Sequence, residues 1–162
     1  MIKSKYSFID TPSLLIDYDL MMKNIQFMQA KANQYNVKLR PHTKTHKMPE
    51  LANLQLDLGA CGITVAKVGE AEVMAQNGIS NIFIANEIVG ISKLERIRIL
   101  NRQIDIRIGV DNEYQINQLA EVFKDEEKEI EVLIELEVYL NLSDHQVVPI
   151  EKYTVFEDNR AD

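Results

Sequence analysis

The sequence predicts an α/β fold built on a parallel sheet. Two observations carry this: short runs rich in valine and isoleucine, and intervening segments of about ten or more residues whose apolar positions recur at helical spacing. Together they are the pattern of βαβ units, in which strands are buried on both faces and joined by crossover helices. Such units coil either into an open doubly wound sheet or into a (β/α)8 barrel. A complete barrel usually takes roughly 250 residues. This chain has 162, so a barrel here is an incomplete one.

The elements follow in order. SLLID, residues 13–17, is the first apolar run and reads as a strand. After it, Met21, Ile25, Met28, Ala32 and Tyr35 recur at helical spacing, and Asp17 or Asp19 is placed to cap that helix. VKLRPHTK, 37–44, is extended, because Pro41 lacks an amide hydrogen and forces Arg40 away from helical angles. A helix over 49–58 precedes a short buried strand at 62–66. A helix over 69–78 ends at Gly78 in a left-handed cap. NIFIA, 81–85, is a strand, 91–101 a helix and DIRIGV, 105–110, a strand. Ile116, Leu119, Ala120 and Phe123 then form a helical stripe, and EVLIELEV, 131–138, is the last strand. The count is about six strands.

With 46% hydrophobic residues, the chain has apolar material for one ordinary domain. Its net charge of −7 argues against coating nucleic acid or anionic lipid, since phosphate binding draws on lysine and arginine. The charge is uneven: residues 1–50 are net +4 and the remainder net −11. Cys61 is the only cysteine, which excludes an intrachain disulfide and a four-cysteine metal cage. The stretch MIKSKYSFIDTPSLLI lacks the continuous apolar region and small-residue cleavage site expected of a secretion signal, and no apolar run approaches the roughly 20 residues that span a bilayer. A cytoplasmic protein is expected, with no nucleic-acid or membrane partner.

Between Leu39 and Lys47 the chain reads LRPHTKTHK, which holds two of the three histidines. In an extended segment Arg40, His42 and Lys44 project to one face, and Pro41 and Thr43 to the other. A lysine at the C-terminal end of a parallel strand sits where such folds build active sites. Buried beside other cations, its amine would lose its proton more readily and serve as a nucleophile toward an aldehyde, above all pyridoxal phosphate. The competing readings are that Lys44 and Lys47 are solvated loop charges, or that His42 and His46 hold a metal. The metal reading needs a third ligand, and no acid lies between Asp19 and Glu50. The acids Glu70 and Glu72 are explained by the dipole of a first helical turn. Asn86 and Glu87 follow a strand end, a cofactor-facing position, and KDEEKE, 124–129, reads as a solvated helix end. Neither GxGxxG nor GxxxxGK[ST] occurs.

TPSLLIDYDLMMKNIQFMQ, then RPHTKTHK, then GACGITVAKVGEAEVMAQNGISNIFIANEIVG resemble the N-terminal half of the D-threonine aldolase and D-serine dehydratase family. The resemblance runs from about Thr11 to Val138. It implies a partial (β/α)8 TIM-type barrel of the alanine-racemase N-terminal type over residues 1–138, with a divergent tail over 139–162. It implies pyridoxal 5'-phosphate as cofactor, Lys44 as the lysine that carries it, and His42 close to it. The implied activity is that of a lyase of D-amino acids. An aldolase breaks Cα–Cβ, releasing glycine and an aldehyde; a dehydratase breaks Cα–H and then loses the hydroxyl.

Tyr139, Leu142 and Asp144 stand where the family has glycine, arginine and glycine. In the family, the histidine and aspartate that hold a divalent metal lie in a later C-terminal domain, so those ligands are expected to be absent from this truncated chain. The expected identities are therefore a D-threonine aldolase-like or D-serine dehydratase-like lyase, a non-catalytic pyridoxal-phosphate binder, or an inactive fragment. The expected partners are a small-molecule D-amino acid and further copies of the chain, associated through the incomplete barrel.

Overall fold

A computed structural model describes residues 5–135. The domain boundary expected at 138/139, the tail to Asp162, and Tyr139, Leu142 and Asp144 lie outside the described residues.

Helix α1 spans Tyr18–Gln34 and starts at Asp17, whose carboxylate accepts from the Leu20 amide at 3.0 Å. Of its expected stripe, Ala32 is buried and Met21 and Ile25 are half-buried, while Met28 and Tyr35 are exposed. A 3-10 turn over Thr43–Thr45 follows, then α2, Pro49–Asp57, and β1, Ile63–Val65. The remaining elements alternate strictly. They are α3, Val68–Gln76; β2, Asn81–Ile84; α4, Ile91–Asn101; β3, Asp105–Val110; α5, Glu113–Phe123; and β4, Glu131–Ile134. Gly78, just past α3, has φ 86°, the left-handed cap expected there.

Among the described residues the four strands are all parallel, in the spatial order β1-β2-β3-β4. That order has no reversal and hence no switch point of the doubly wound kind, and decides for a partial barrel. The two faces of the sheet differ in chemistry. Ile63, Val65, Ile82, Ile84, Ile106, Ile108 and Val110 are buried against Ala71, Met74, Leu94, Ile97, Leu100 and Leu119. Burying each such large side chain contributes about 1.5–3 kcal/mol. On the other face Thr64, Phe83, Arg107 and Glu131 lie in register. Arg107 Nε pairs with Glu131 at 2.6 Å and its Nη1 donates to Asn81 Oδ1 at 2.9 Å.

Two expected strands take another form. Residues 13–17 belong to no strand, and Leu14, Leu15 and Ile16 are 99%, 55% and 54% exposed. No described strand pairs with this segment, and β-propensity alone does not satisfy its backbone. The 37–44 segment does run beside β1: Cys61 N–H donates to Leu39 O at 2.9 Å, Thr64 N–H to Pro41 O at 2.8 Å, and His42 forms a single parallel bridge with Thr64. Beyond His42, however, the chain winds into the 3-10 turn. The alternation that put Lys44 on the face of Arg40 and His42 therefore stops at His42, two residues before Lys44. The stretch 124–129 is also more than a solvated helix end. Glu126 is held by Arg98 and Arg102, and these guanidiniums bring its carboxyl down to about 2.

Candidate active site

Lys44 lies at the C-terminal end of the sheet because local hydrogen bonds force a tight turn there. The His42 imidazole Nδ1 accepts from the Lys44 amide at 3.2 Å. The Thr43 carbonyl accepts from His46 N–H at 3.1 Å and from Lys47 N–H at 2.7 Å. Thr43 itself is buried, and its hydroxyl donates to Thr64 O at 3.2 Å. Lys47 closes the turn at φ 55°. The Lys44 side chain is exposed, and its amine makes no hydrogen bond or ion pair among the described residues. The burial expected for it is not met there.

His42 Nδ1 is used as an acceptor, so its proton sits on Nε2. Burial, reinforced by the positive charge of Lys44, lowers the affinity of the imidazole for a second proton, against a smaller opposing pull from Glu70. His46 is likewise turned inward on its own backbone, Nδ1 accepting from Met48 N–H at 3.0 Å, and burial lowers its pKa while Gln55 partly offsets the shift. The two imidazoles are thus committed separately. Among the described residues no group of three or more histidine, cysteine, aspartate or glutamate side chains is gathered for a metal.

The loop after β1 meets this turn. The Ala66 amide donates to Glu70 Oε2 at 2.9 Å, and Glu70 Oε1 faces the Lys47 amine at 3.3 Å. Burial alone would raise the Glu70 pKa, yet the Ala66 bond and the Lys47 charge together leave it lowered. Asn86 donates from Nδ2 to the Ala66 carbonyl at 2.6 Å, so the side chain read as cofactor-facing is spent on the backbone. Helix-dipole reasoning passed over Glu70, because its partners lie four residues back and 23 residues back in the chain. Glu72 is a separate matter: its carboxylate pairs with Arg96 of α4 at 2.7 Å. A groove between α4 and α5 is lined by Glu95, Arg98, Glu121 and Glu126, charges already engaged in ion pairs.

The donor set fits the aldehyde end of pyridoxal phosphate: an unpaired lysine amine on a pinned turn, flanked by a neutral imidazole, at the C-terminal end of parallel strands.

Comparison with known proteins agrees with this geometry. Residues 16–141 match the family model described as alanine racemase, N-terminal domain. The chain is 42% identical over 130 residues to a D-threonine aldolase of Arthrobacter sp., covering 80% of this chain and 34% of that protein. It is 33% identical over 129 residues to a D-threo-3-hydroxyaspartate dehydratase of Delftia sp. (strain HT23), again over 80% and 34%. The crystal structure of D-threonine aldolase from Filomicrobium marinum superposes with a TM-score of 0.79 at 42% identity, over 83% of this chain and 36% of that one. The chain thus spans about a third of the length of the curated relatives it matches. No helix among the described residues is long and apolar enough to cross a membrane. Parallel strands in unbroken order, the pinned lysine turn at their C-terminal end and the match over residues 16–141 together place this chain in the alanine racemase N-terminal domain family.

Proposed function

We propose that the chain forms the lysine-bearing part of a pyridoxal-phosphate lyase of D-amino acids, of the D-threonine aldolase kind. Lys44 is the residue that holds the cofactor and His42 is its neighbour in the site. The observation that carries this reading is the unpaired Lys44 amine on a turn tied to β1 by Thr43.

When bound, the cofactor supplies an aldehyde for a lysine amine and a ring that accepts electrons as a bond to Cα breaks. The residues of the chain supply position and charge. The 3-10 turn fixes the direction in which Lys44 leaves the backbone. His42 presents a neutral N–H rather than a second cation beside the amine, which keeps repulsion in the site low. With substrate in the site, the Lys44 amine would be the group of this turn available to hold or return a proton at Cα.

The 42% identity to a D-threonine aldolase favours Cα–Cβ cleavage. The 33% identity to a D-threo-3-hydroxyaspartate dehydratase supports the second reading, loss of water from a D-3-hydroxy amino acid. Titration with pyridoxal phosphate should produce an absorbance band near the visible edge that Lys44→Ala abolishes. With D-threonine and added Mn²⁺, acetaldehyde and glycine report the aldolase, whereas ammonia and a 2-keto acid report the dehydratase. A band unchanged in Lys44→Ala sinks the assignment of the lysine. Absence of both product pairs, at protein concentrations where the band is present, leaves a non-catalytic binder.

A further inference from the structure

Lys44 and Lys47 leave the same turn three residues apart, and both side chains are exposed. An aldehyde can condense with either amine. We propose that Glu70 decides between them: it holds the Lys47 amine in an ion pair and leaves Lys44 as the one amine of this turn offered to an aldehyde cofactor. The inference rests on the reading of Lys44 given above and makes Glu70 a positioning residue for it.

The geometry is specific to one lysine. The Glu70 side chain is only 10% exposed, and the Ala66 amide anchors one of its oxygens at 2.9 Å, so the other is aimed rather than free to swing. That second oxygen lies 3.3 Å from Lys47 Nζ. Lys47 is fixed from its own side as well, by its left-handed backbone and by the donation of its N–H to Thr43 O at 2.7 Å. Asn86 holds the carbonyl of the same Ala66 residue, so the loop that carries the anchor is gripped at both its amide and its carbonyl. No acidic side chain stands in this relation to Lys44 among the described residues.

Condensation needs a neutral amine. An ammonium first gives one proton to solvent. The nitrogen lone pair then attacks the aldehyde carbon, a C=N bond forms, and the aldehyde oxygen leaves as water with the two remaining amine protons. An amine held against a carboxylate must leave that partner before its nitrogen can approach an aldehyde. That constraint acts on Lys47, which lies 3.3 Å from Glu70 Oε1, and no described acid imposes it on Lys44.

The test uses the full chain. It is treated with limiting pyridoxal phosphate, reduced with borohydride, and peptide-mapped for the labelled lysine. In the native protein the label falls on Lys44. In Glu70→Gln the share on Lys47 rises at least about threefold, the scale on which partly exposed ion pairs act. Glu70→Asp, which keeps the carboxylate, returns it toward the native value, a rescue that a merely structural role for Glu70 would not produce.

A second arm needs no cofactor and no variant. With trace acetic anhydride the native protein is acetylated about threefold more slowly at Lys47 than at Lys44, and about 1 M salt narrows the gap by screening the pair. Equal acetylation of the two lysines, or an unchanged borohydride ratio in folded Glu70→Gln, overturns the inference while leaving Lys44 as the cofactor lysine. A native map without Lys44 overturns that assignment, and the choice proposed here falls with it. Should Glu70→Gln fail to fold, the anhydride rates decide.

Discussion

The Thr43 hydroxyl donates to the Thr64 carbonyl oxygen at 3.2 Å, so the residue before Lys44 is tied to β1 by its side chain, next to the backbone bridge between His42 and Thr64. The candidate site is therefore held by the core sheet rather than by the loop alone. Because Thr43 is 1% exposed, its donor has no water to fall back on.

Thr43→Val keeps the shape and removes the donor, leaving the Thr64 carbonyl without this partner. The expected loss is about 1–3 kcal/mol, read as a lower urea midpoint at an unchanged slope. The pyridoxal-phosphate band should weaken with it. Thr43→Ser, which retains the hydroxyl, should recover most of the band; an equal loss in both variants would mean that the methyl packing matters and the hydrogen bond does not.

Gly62 sits at φ 153°, and a Cβ there would lie 2.2 Å from Arg40 Nη1 and 2.7 Å from the Asn81 carbonyl oxygen. The guanidinium can swing aside but the carbonyl cannot. Gly62→Ala should cost about 2–4 kcal/mol in denaturant unfolding, from backbone strain and the clash together. Gly78 has φ 86° with nothing within 4 Å of an added Cβ, so Gly78→Ala should show only the conformational penalty, about 1–2 kcal/mol.

Gln115 is fully buried. Its Nε2 donates to Gly109 O at 2.9 Å and to Ile88 O at 3.4 Å, and its Oε1 accepts from Asp111 N–H at 3.3 Å. It joins the C-terminal end of β3 to the loop before α4. Gln115→Met, similar in length but without these partners, should destabilise by about 1–3 kcal/mol and speed amide exchange at Asp111.

Acidification should weaken the fold through His42 and His46. Both have folded pKa values lowered from 6.5, chiefly by burial, so below 6.5 the unfolded chain takes up protons that the folded chain refuses. Their contribution is present above 6.5 and is lost as pH falls toward the folded values. The His42→Gln/His46→Gln double variant should flatten the stability profile in that window. Glu126 acts further down: its contribution is present above 4.5 and lost as pH falls through about 2.

Much of the fold was legible in the chain. The bounds of α4 and β3 match their expected spans of 91–101 and 105–110, because each carries its own apolar period between turn signals. SLLID was misread for a reason of the same kind: its composition is that of a strand, but a strand exists only against a partner, and none of the described strands pairs with it. Lys44 was singled out by its place in RPHTKTHK, yet the 3-10 turn that carries it depends on the His42 imidazole and the Thr43–Thr64 contact. Glu70 and Asn86 stand out only as a helix-start acid and a strand-end amide, and their partners are not legible locally, since acids open many helices and amides follow many strands.

The sequence by itself determined the alternation of strands and helices, the apolar layer between them and the candidacy of Lys44, because these depend on side chains spaced within one element. The tertiary structure alone decided that the sheet runs in unbroken parallel order, that Lys44 leaves its strand on a turn, and that Lys47 rather than Lys44 is paired with Glu70. Those outcomes depend on contacts between residues some twenty positions apart, with local hydrogen bonds sharing in the turn, and only chain folding brings the distant partners together.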